Sequence, residues 1–284
     1  MTLVDDFWVE EVGPDAWAAI SIPDRGAVGN AGIVDLGDGG SLVFDTMVTP
    51  RAGRALRAHA EQLVGPTRYV VNSHWHGDHR MGNGAFDTSA PILATPRTRE
   101  LIASVGVERL EATKRAGREG YEPLLEDLHE RGKTDKIALV EDFLRELPEI
   151  QQRLPDDTFE ERRDLGRCEL LTYGGGHTES DAFLLLPDDR ILFAADLVVV
   201  RSHAWVGDGD VGSWRAILDR LRRLDFDMLV PGHGPVGGRD DVDAMDAYLA
   251  DLLEAARTGS SMPERYRDWD FASGWDRNVA ALSA

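Results

Sequence analysis

Apolar positions along the chain fall into short continuous runs and longer stripes of helical period, and the two patterns alternate. Val28–Asp35 and Ser41–Asp45 are apolar runs on either side of "LGDGG", which predicts a β-hairpin. Ala52, Leu56, Ala60 and Leu63 share one face of a predicted helix over Arg51–Val64, ended by Gly65-Pro66. Thr67–Asn72 ("TRYVVN") reads as a strand, and Pro91–Ala94 followed by Pro96–Ser104 repeats strand and then helix. Further strands are predicted at Cys168–Tyr173, Ala182–Leu186, Arg190–Ala194 and Asp227–Val230, with "PDDR" as the turn between the middle two. Gly212–Leu224 is amphipathic through Trp214, Ile217, Leu218 and Leu221, and Asp240–Arg257 is a closing helix. Strands interleaved with helices define an α/β protein.

The pattern changes between Val105 and Asp164, where Glu, Asp, Arg and Leu dominate and Leu124, Leu125 and Leu128 form a helical stripe. Two or three helices inserted into the α/β body are expected here. A solvated, charged face is the simplest account of their composition, with a lid or an oligomer contact as the alternative.

Chemistry enters at the strand ends. Just past "TRYVVN", His74, His76, Asp78 and His79 crowd into "HWHGDH". Residues two apart in extended backbone project to the same side, so His74 and His76 can meet one ion. Asp78 and His79 fall beyond the turn that Gly77 permits. Protonated histidines this close would repel one another, and a divalent ion removes that cost. A polar loop rich in histidine is the competing reading for any one of them. Three more donors each follow a predicted strand: His177 in "TYGGGHTESD", Asp196 in "ILFAADLVVV" and His233 in "LVPGHGP". One rim of a sheet could gather all of these donors into a single site.

Composition narrows the partners. The chain of 284 residues carries 51 acidic and 31 basic residues, a net charge of −20. That field repels phosphate backbones and anionic membrane surfaces, so no nucleic-acid or membrane partner is expected. Lysine is confined to Lys114, Lys133 and Lys136, which argues against Schiff-base chemistry. Cys168 is the only cysteine, which leaves no intramolecular disulfide. "MTLVDDFWVEEVGPD" has no basic region followed by an apolar one, and no apolar run is long enough to span a bilayer; a cytoplasmic protein acting on a small molecule is the expectation. Oligomeric state is not readable from the pattern.

With the donors in place, the chain resembles the metallo-β-lactamase superfamily. His74, His76, Asp78 and His79 match its HxHxDH motif, and His177, Asp196 and His233 match the isolated residues that complete its two-metal centre. "SLVFDT", "FAADL" and "PGHGP" resemble its strand ends, and the resemblance runs from Val28 to Tyr248 with the helical insertion outside it. It implies an αββα sandwich in a single domain over residues 1–284, with the insertion at about 105–164 and a C-terminal helix and tail at about 240–284. It also implies two Zn²⁺ per chain, with Fe or Mn as alternatives. His74, His76 and His177 would hold the first ion and Asp78, His79 and His233 the second, with Asp196 bridging. The implied activity is hydrolysis, in which a metal-activated hydroxide attacks an ester, lactone or thioester carbonyl and the other metal or a protonated Asp78 assists the leaving group.

A cysteine holds the second metal in one subclass of true β-lactamases, and the matching position here is Asp196. β-Lactam hydrolysis therefore stands as an alternative, as does a mononuclear iron oxygenase of the persulfide-dioxygenase type. Diiron electron-transfer relatives fit less well, because they carry glutamate where this chain has His76. A metal-binding module without turnover is the reading from outside enzymology. Around the donors, Asp45 orients a ligand histidine or ends its strand, and Thr178 is a weaker candidate for the same task. His203 and Trp205 line the pocket, with His203 as proton donor or oxyanion partner, or else belong to a surface loop. Cys168 reads as a small core residue, Gly174–Gly176 as backbone freedom for delivering His177, and Tyr266, Trp269, Phe271 and Trp275 as packing or a partner surface.

Overall fold

The hairpin predicted by "LGDGG" is present and joins a larger sheet than its sequence announced. In the computed structural model, which describes residues 1–271 and 273–283, the contacts divide into two compact units. The first takes in Met1–Glu11 and Asp15–Phe159, the second Val12–Pro14 and Glu160–Ala284.

The first unit is built on an eight-stranded sheet in sequence order: β1 (Thr2–Val4), β2 (Phe7–Gly13), β3 (Ala16–Ser21), β4 (Ala31–Asp35), β5 (Ser41–Phe44), β6 (Thr67–Val71), β7 (Ile92–Ala94) and β8 (Asp157–Thr158). Strands β3, β4 and β5 pair antiparallel, whereas β5 to β8 run parallel. The switch falls where α1 (Pro50–Leu63) carries the chain from β5 to β6, since parallel strands need a crossover. Helix α1 forms for local reasons: Thr49 caps it by accepting from Ala52 N at 3.1 Å, and Pro50 occupies its first turn. Ala52, Leu56 and Ala60 are buried as the stripe predicts, with Leu56, the large side chain of the three, contributing roughly 1.5–3 kcal/mol. Leu63, the fourth member of that stripe, is 37% exposed, because the helix ends there. On the buried side Gly53 meets Gly82 so closely that a Cβ at 53 would lie 2.7 Å from the Gly82 carbonyl oxygen. That contact lets α1 sit directly on the turn following the histidine cluster.

After β6 come the short helix α2 (Gly77–Arg80), β7 and α3 (Pro96–Leu101), which is capped by Thr95. A π-helical turn over Ile102–Gly106 leads into α4 (Val107–Ala116), followed by α5 (Glu122–Glu130) and α6 (Thr134–Glu146). The inserted helices are thus three, and they bury little: Leu110 from α4, Leu125 and Leu128 from α5, and nothing from α6. A solvated face accounts for their charge. The expected boundary at Asp164 is corrected, because helix ends at Glu149 and the chain then returns to strand. Asp157–Thr158 pairs with Leu93–Ala94, and "RRDL" exposes Arg162 and Asp164 along a sheet edge while burying Leu165. Charge on an edge strand guards unpaired backbone and resembles a solvated helix in composition.

The second unit carries a five-stranded sheet, β9 (Arg162–Leu165), β10 (Cys168–Thr172), β11 (Ala182–Leu186), β12 (Ile191–Ala195) and β13 (Met228–Pro231). Its pairings are antiparallel except for β12 with β13, which α7 (Val211–Leu221) connects. Asp210 caps α7 by accepting from Ser213 N at 2.7 Å. Helix α8 (Arg239–Thr258) stops at Gly259, whose φ of 73° no β-carbon residue adopts cheaply. Trp214, Leu218 and Leu221 of α7 and Tyr248, Leu249 and Leu252 of α8 are fully buried in one apolar cluster. The C-terminal tail closes with α9 (Gly274–Ser283), and Tyr266, Trp269 and Trp275 pack on Tyr248 with ring centroids 5.2, 5.2 and 5.9 Å away. Among the described residues no helix is long and apolar enough to cross a membrane.

Cys168 is buried at the start of β10, as its reading as a core residue requires, and burial pushes its thiol up to about 12. At pH 8 about one molecule in ten thousand would carry the thiolate that reacts. Native protein is therefore expected to resist the thiol reagent DTNB at pH 8 and to react stoichiometrically once unfolded in guanidinium. Fast labelling of the folded chain would contradict the burial of this thiol.

Candidate metal centre

Strands β5 and β6 run parallel, so their C-terminal ends lie side by side and deliver Asp45 next to the histidine loop. Asp45 is buried and adopts φ 62°, a left-handed backbone that turns its carboxylate back toward Ser73. It accepts from Ser73 N at 2.8 Å and Ser73 Oγ at 2.7 Å, and its Oδ2 lies 2.9 Å from His79 Nδ1. Burial pushes the Asp45 carboxyl up, and the contacts from His79 and Ser73 oppose that. Ser73 Oγ also lies 2.9 Å from His74 Nδ1. Because the Ser73 hydroxyl has one proton and gives it to Asp45, His74 Nδ1 must donate to Ser73. An ionised Asp45 only accepts, so His79 Nδ1 must donate to it. Both rings then present Nε2 as the lone-pair nitrogen, which is the form a metal takes. Asp45 is therefore an orienting carboxylate, and through Ser73 it serves two histidines.

The loop is compact. His74 has its ring centroid 4.8 Å from that of His76 and 4.5 Å from that of His79, and Asp78 Oδ2 is 3.6 Å from His79 Nε2. The residues that open and close the stretch also bond to each other: Asn83 Nδ2 donates to Asn72 Oδ1 at 2.8 Å, and Asn72 Nδ2 to Asn83 Oδ1 at 3.0 Å. Arg80 is buried, donates from Nε to the Trp75 carbonyl at 2.6 Å and from Nη1 to Gln152 Oε1 at 2.6 Å, and is brought down to about 10 by burial against the opposing charge of Asp78. Trp75 lies between two of the donors in sequence, packs on Leu101 and Ile102, and has the Arg109 guanidinium 4.4 Å from its ring centre. Arg109 thereby ties α4, the first of the inserted helices, to the loop.

The second unit assembles its donors by a parallel device. His177 sits on the β10–β11 loop, and Asp181 gathers that loop by accepting from Gly176 N at 2.8 Å, Thr178 N at 3.0 Å and Thr178 Oγ1 at 2.7 Å. Burial pushes Asp181 up and the nearby His177 draws it down. Trp214 supports the His177 ring edge-on at 5.0 Å and donates from Nε1 to the Leu197 carbonyl at 2.9 Å. Asp196 follows β12, with Oδ2 3.2 Å from His177 Nε2 and 3.4 Å from His233 Nε2. His233 follows β13, and its carbonyl accepts from Val200 N at 3.0 Å. Position 232 must be glycine, since a Cβ there would collide with Asp196 Oδ1.

Thr178, a candidate for orienting a ligand ring, acts on Asp181 instead. Gly174 has φ 96° and Gly176 abuts the Trp214 backbone, so the glycine run serves the close passage of the loop. His203 is not on a surface loop: it is buried, with Nδ1 3.1 Å from Tyr248 Oη and its ring beside Trp269. Burial holds its imidazole below the usual range. Trp205 is half-buried, donates to Asp208 Oδ2 at 2.8 Å and lies under Arg277. Asp181, Arg80 and the Asn72–Asn83 pair do not stand out in the sequence. The "HTESD" spacing, which lets a carboxylate bond the amide three residues back, was the available signal for Asp181.

Imidazole nitrogens and carboxylate oxygens held this way are the donor set of zinc and of harder divalent ions, so the residues fit a metal. Strand-end donors on an α/β scaffold point to a family, and comparison identifies it. The sequence profile of the metallo-beta-lactamase superfamily matches residues 24–233. The chain belongs to that superfamily, whose members are generally hydrolytic enzymes. Among curated proteins it is 26% identical to the 2,4-dinitroanisole O-demethylase subunit alpha of Nocardioides sp. (strain JS1661), over 78% of this chain and 59% of that one. It is 25% identical to the linear primary-alkylsulfatase of Pseudomonas sp. (strain ATCC 19151), over 75% of this chain and 43% of that one. The chain thus spans about half the length of the curated relatives it matches. The crystal structure of a metallo-beta-lactamase from Hirschia baltica superimposes with a TM-score of 0.63 at 18% identity, covering 86% of this chain and 97% of that one. The fold is that of the metallo-β-lactamases.

Proposed function

We propose that the chain is a dinuclear zinc hydrolase acting on a carbonyl of the ester, lactone or thioester class in a small-molecule substrate. In this reading the two units are halves of one domain, since the superfamily profile runs across both. His74, His76 and His177 would hold the first ion and Asp78, His79 and His233 the second, with Asp196 as the donor they would share. The observation that carries the reading is the position of Asp196, whose single oxygen Oδ2 faces both His177 and His233, donors assigned to different ions. When bound, zinc supplies a Lewis acid and a nucleophilic hydroxide near neutral pH. The chain's own residues hold the donors: Asp45 and Ser73 fix the tautomers of His74 and His79, and Asp181 shapes the loop of His177. The leaving group would be assisted by the second ion or by Asp78, partly exposed beside His79, which would first take up the proton that a bound water loses. His203 keeps a proposed role only as support, through Tyr248, for the segment that leads from Asp196.

The test is elemental analysis of protein purified without added metal, then assay of the same protein on lactones, thioesters, aryl esters, phosphodiesters and nitrocefin. Alkyl sulfates and 2,4-dinitroanisole join the panel because two relatives carry those substrates in their names. Two zincs per chain with carbonyl hydrolysis is the expected result, and His76→Ala or Asp196→Ala should lose both metal and turnover. A single iron with oxygen consumption would instead establish the oxygenase alternative, and fully active, fully loaded variants would sink the ligand assignment.

A further inference from the structure

Four aromatic residues occupy the C-terminal tail, and three of them pack inward. Tyr266 and Trp275 are 2% and 3% exposed, and Trp269 lies between Tyr248 and Tyr266. Phe271 differs in every respect. It is 46% exposed, and its φ of 58° is a left-handed conformation that a bulky side chain resists. Its ring stands perpendicular to that of His233, with centroids 5.5 Å apart. The backbone on both sides is tied down. Asp270 N donates to the Arg201 carbonyl at 2.9 Å, the Asp270 carbonyl accepts from His203 N at 3.1 Å, and the Phe271 carbonyl accepts from Gly274 N at 2.6 Å. Core packing does not call for this residue, since its ring stays largely exposed while Tyr266 and Trp275 of the same tail fill the core. Strain that the surroundings over-determine, at a site beside a candidate metal ligand, points to function.

We propose that Phe271 is a specificity-determining residue, the apolar wall that receives an alkyl or aryl group of the substrate next to His233. The preferred substrates are then esters or thioesters carrying a medium-length alkyl chain or a phenyl ring, rather than acetyl esters or polar diesters. This rests on the hydrolase reading above, but its test does not need turnover. Hydroxamates chelate zinc through their head group, so a series from acetohydroxamate to octanohydroxamate reports the wall directly.

Calorimetric titration of the zinc-loaded protein is expected to show affinity rising with chain length. In Phe271→Ala that preference should fall roughly tenfold for octanohydroxamate, the scale of a methylene or more in an apolar pocket, with acetohydroxamate little changed. Phe271→Leu should keep most of the preference, and zinc content should be equal in all three proteins. Equal chain-length dependence in wild type and Phe271→Ala would overturn the proposal, and so would loss of zinc in Phe271→Ala, which would make the ring a support for His233 only. A preference that vanishes in Phe271→Ala while no substrate is hydrolysed by any protein would uphold the wall and remove the hydrolase reading.

Discussion

Replacing Asp45 by alanine is expected to weaken zinc binding by roughly 10- to 100-fold, the usual effect of losing a residue that orients a ligand histidine. Asp45 accepts three bonds, from Ser73 N, Ser73 Oγ and His79 Nδ1, in a setting where water does not reach it. Alanine leaves those donors buried, at a cost of about 1–3 kcal/mol for each that finds no new acceptor. It also releases the tautomers, because Ser73 can turn its proton onto His74 Nδ1 and His79 can protonate either nitrogen. Asp45→Asn keeps the shape but sets an amide N–H against one of the donors, so it should recover only part of the loss. Chelator competition on the zinc-loaded proteins measures this, with the spectrum of the cobalt-substituted form as a check on geometry. Unchanged affinity in Asp45→Ala would show that the ion, not the carboxylate, sets the histidine orientation.

The second large effect is expected at Trp214. Its side chain is fully buried in the apolar cluster of the second unit, donates to the Leu197 carbonyl and supports the edge of His177. Truncation of a buried tryptophan to alanine costs about 3–5 kcal/mol through lost transfer energy and the cavity left behind. Trp214→Ala should therefore shift the urea midpoint strongly downward and weaken metal binding as well, whereas Trp214→Phe should keep stability better than it keeps the Leu197 contact. A loss below about 1 kcal/mol in Trp214→Ala would contradict the close packing of the indole in that cluster.

Much of the candidate centre was legible before the fold was known, because its donors are rare residue types at strand ends. His177 and His233 stand out among few histidines, and the strands that deliver them, β10 and β13, are clear apolar runs. The three N-terminal strands were not legible. In β2, Phe7 and Val9 face inward and Trp8 outward, but the alternation slips at Glu10–Glu11 before Val12, and a run that changes phase gives a weak period-two signal. The end of the insertion failed for a different reason, since a charged edge strand and a solvated helix have the same composition. The supporting residues Asp181, Arg80, Asn72 and Asn83 are ordinary polar residues by type. What distinguishes them is burial together with a specific partner, and both are products of the tertiary fold.

The reciprocal bond between Asn72 and Asn83 has a consequence for how this chain would take up an ion. It joins positions 11 apart and closes the stretch that carries His74, His76, Asp78 and His79 into a ring. Coordination chemistry distinguishes open-chain chelators from macrocycles, whose donors are already gathered when the ion arrives. By that distinction this loop resembles a macrocycle whose rim is a pair of amides: the entropy of closure is spent when the protein folds, so gathering the donors around an ion would cost less than for the same donors on a free strand.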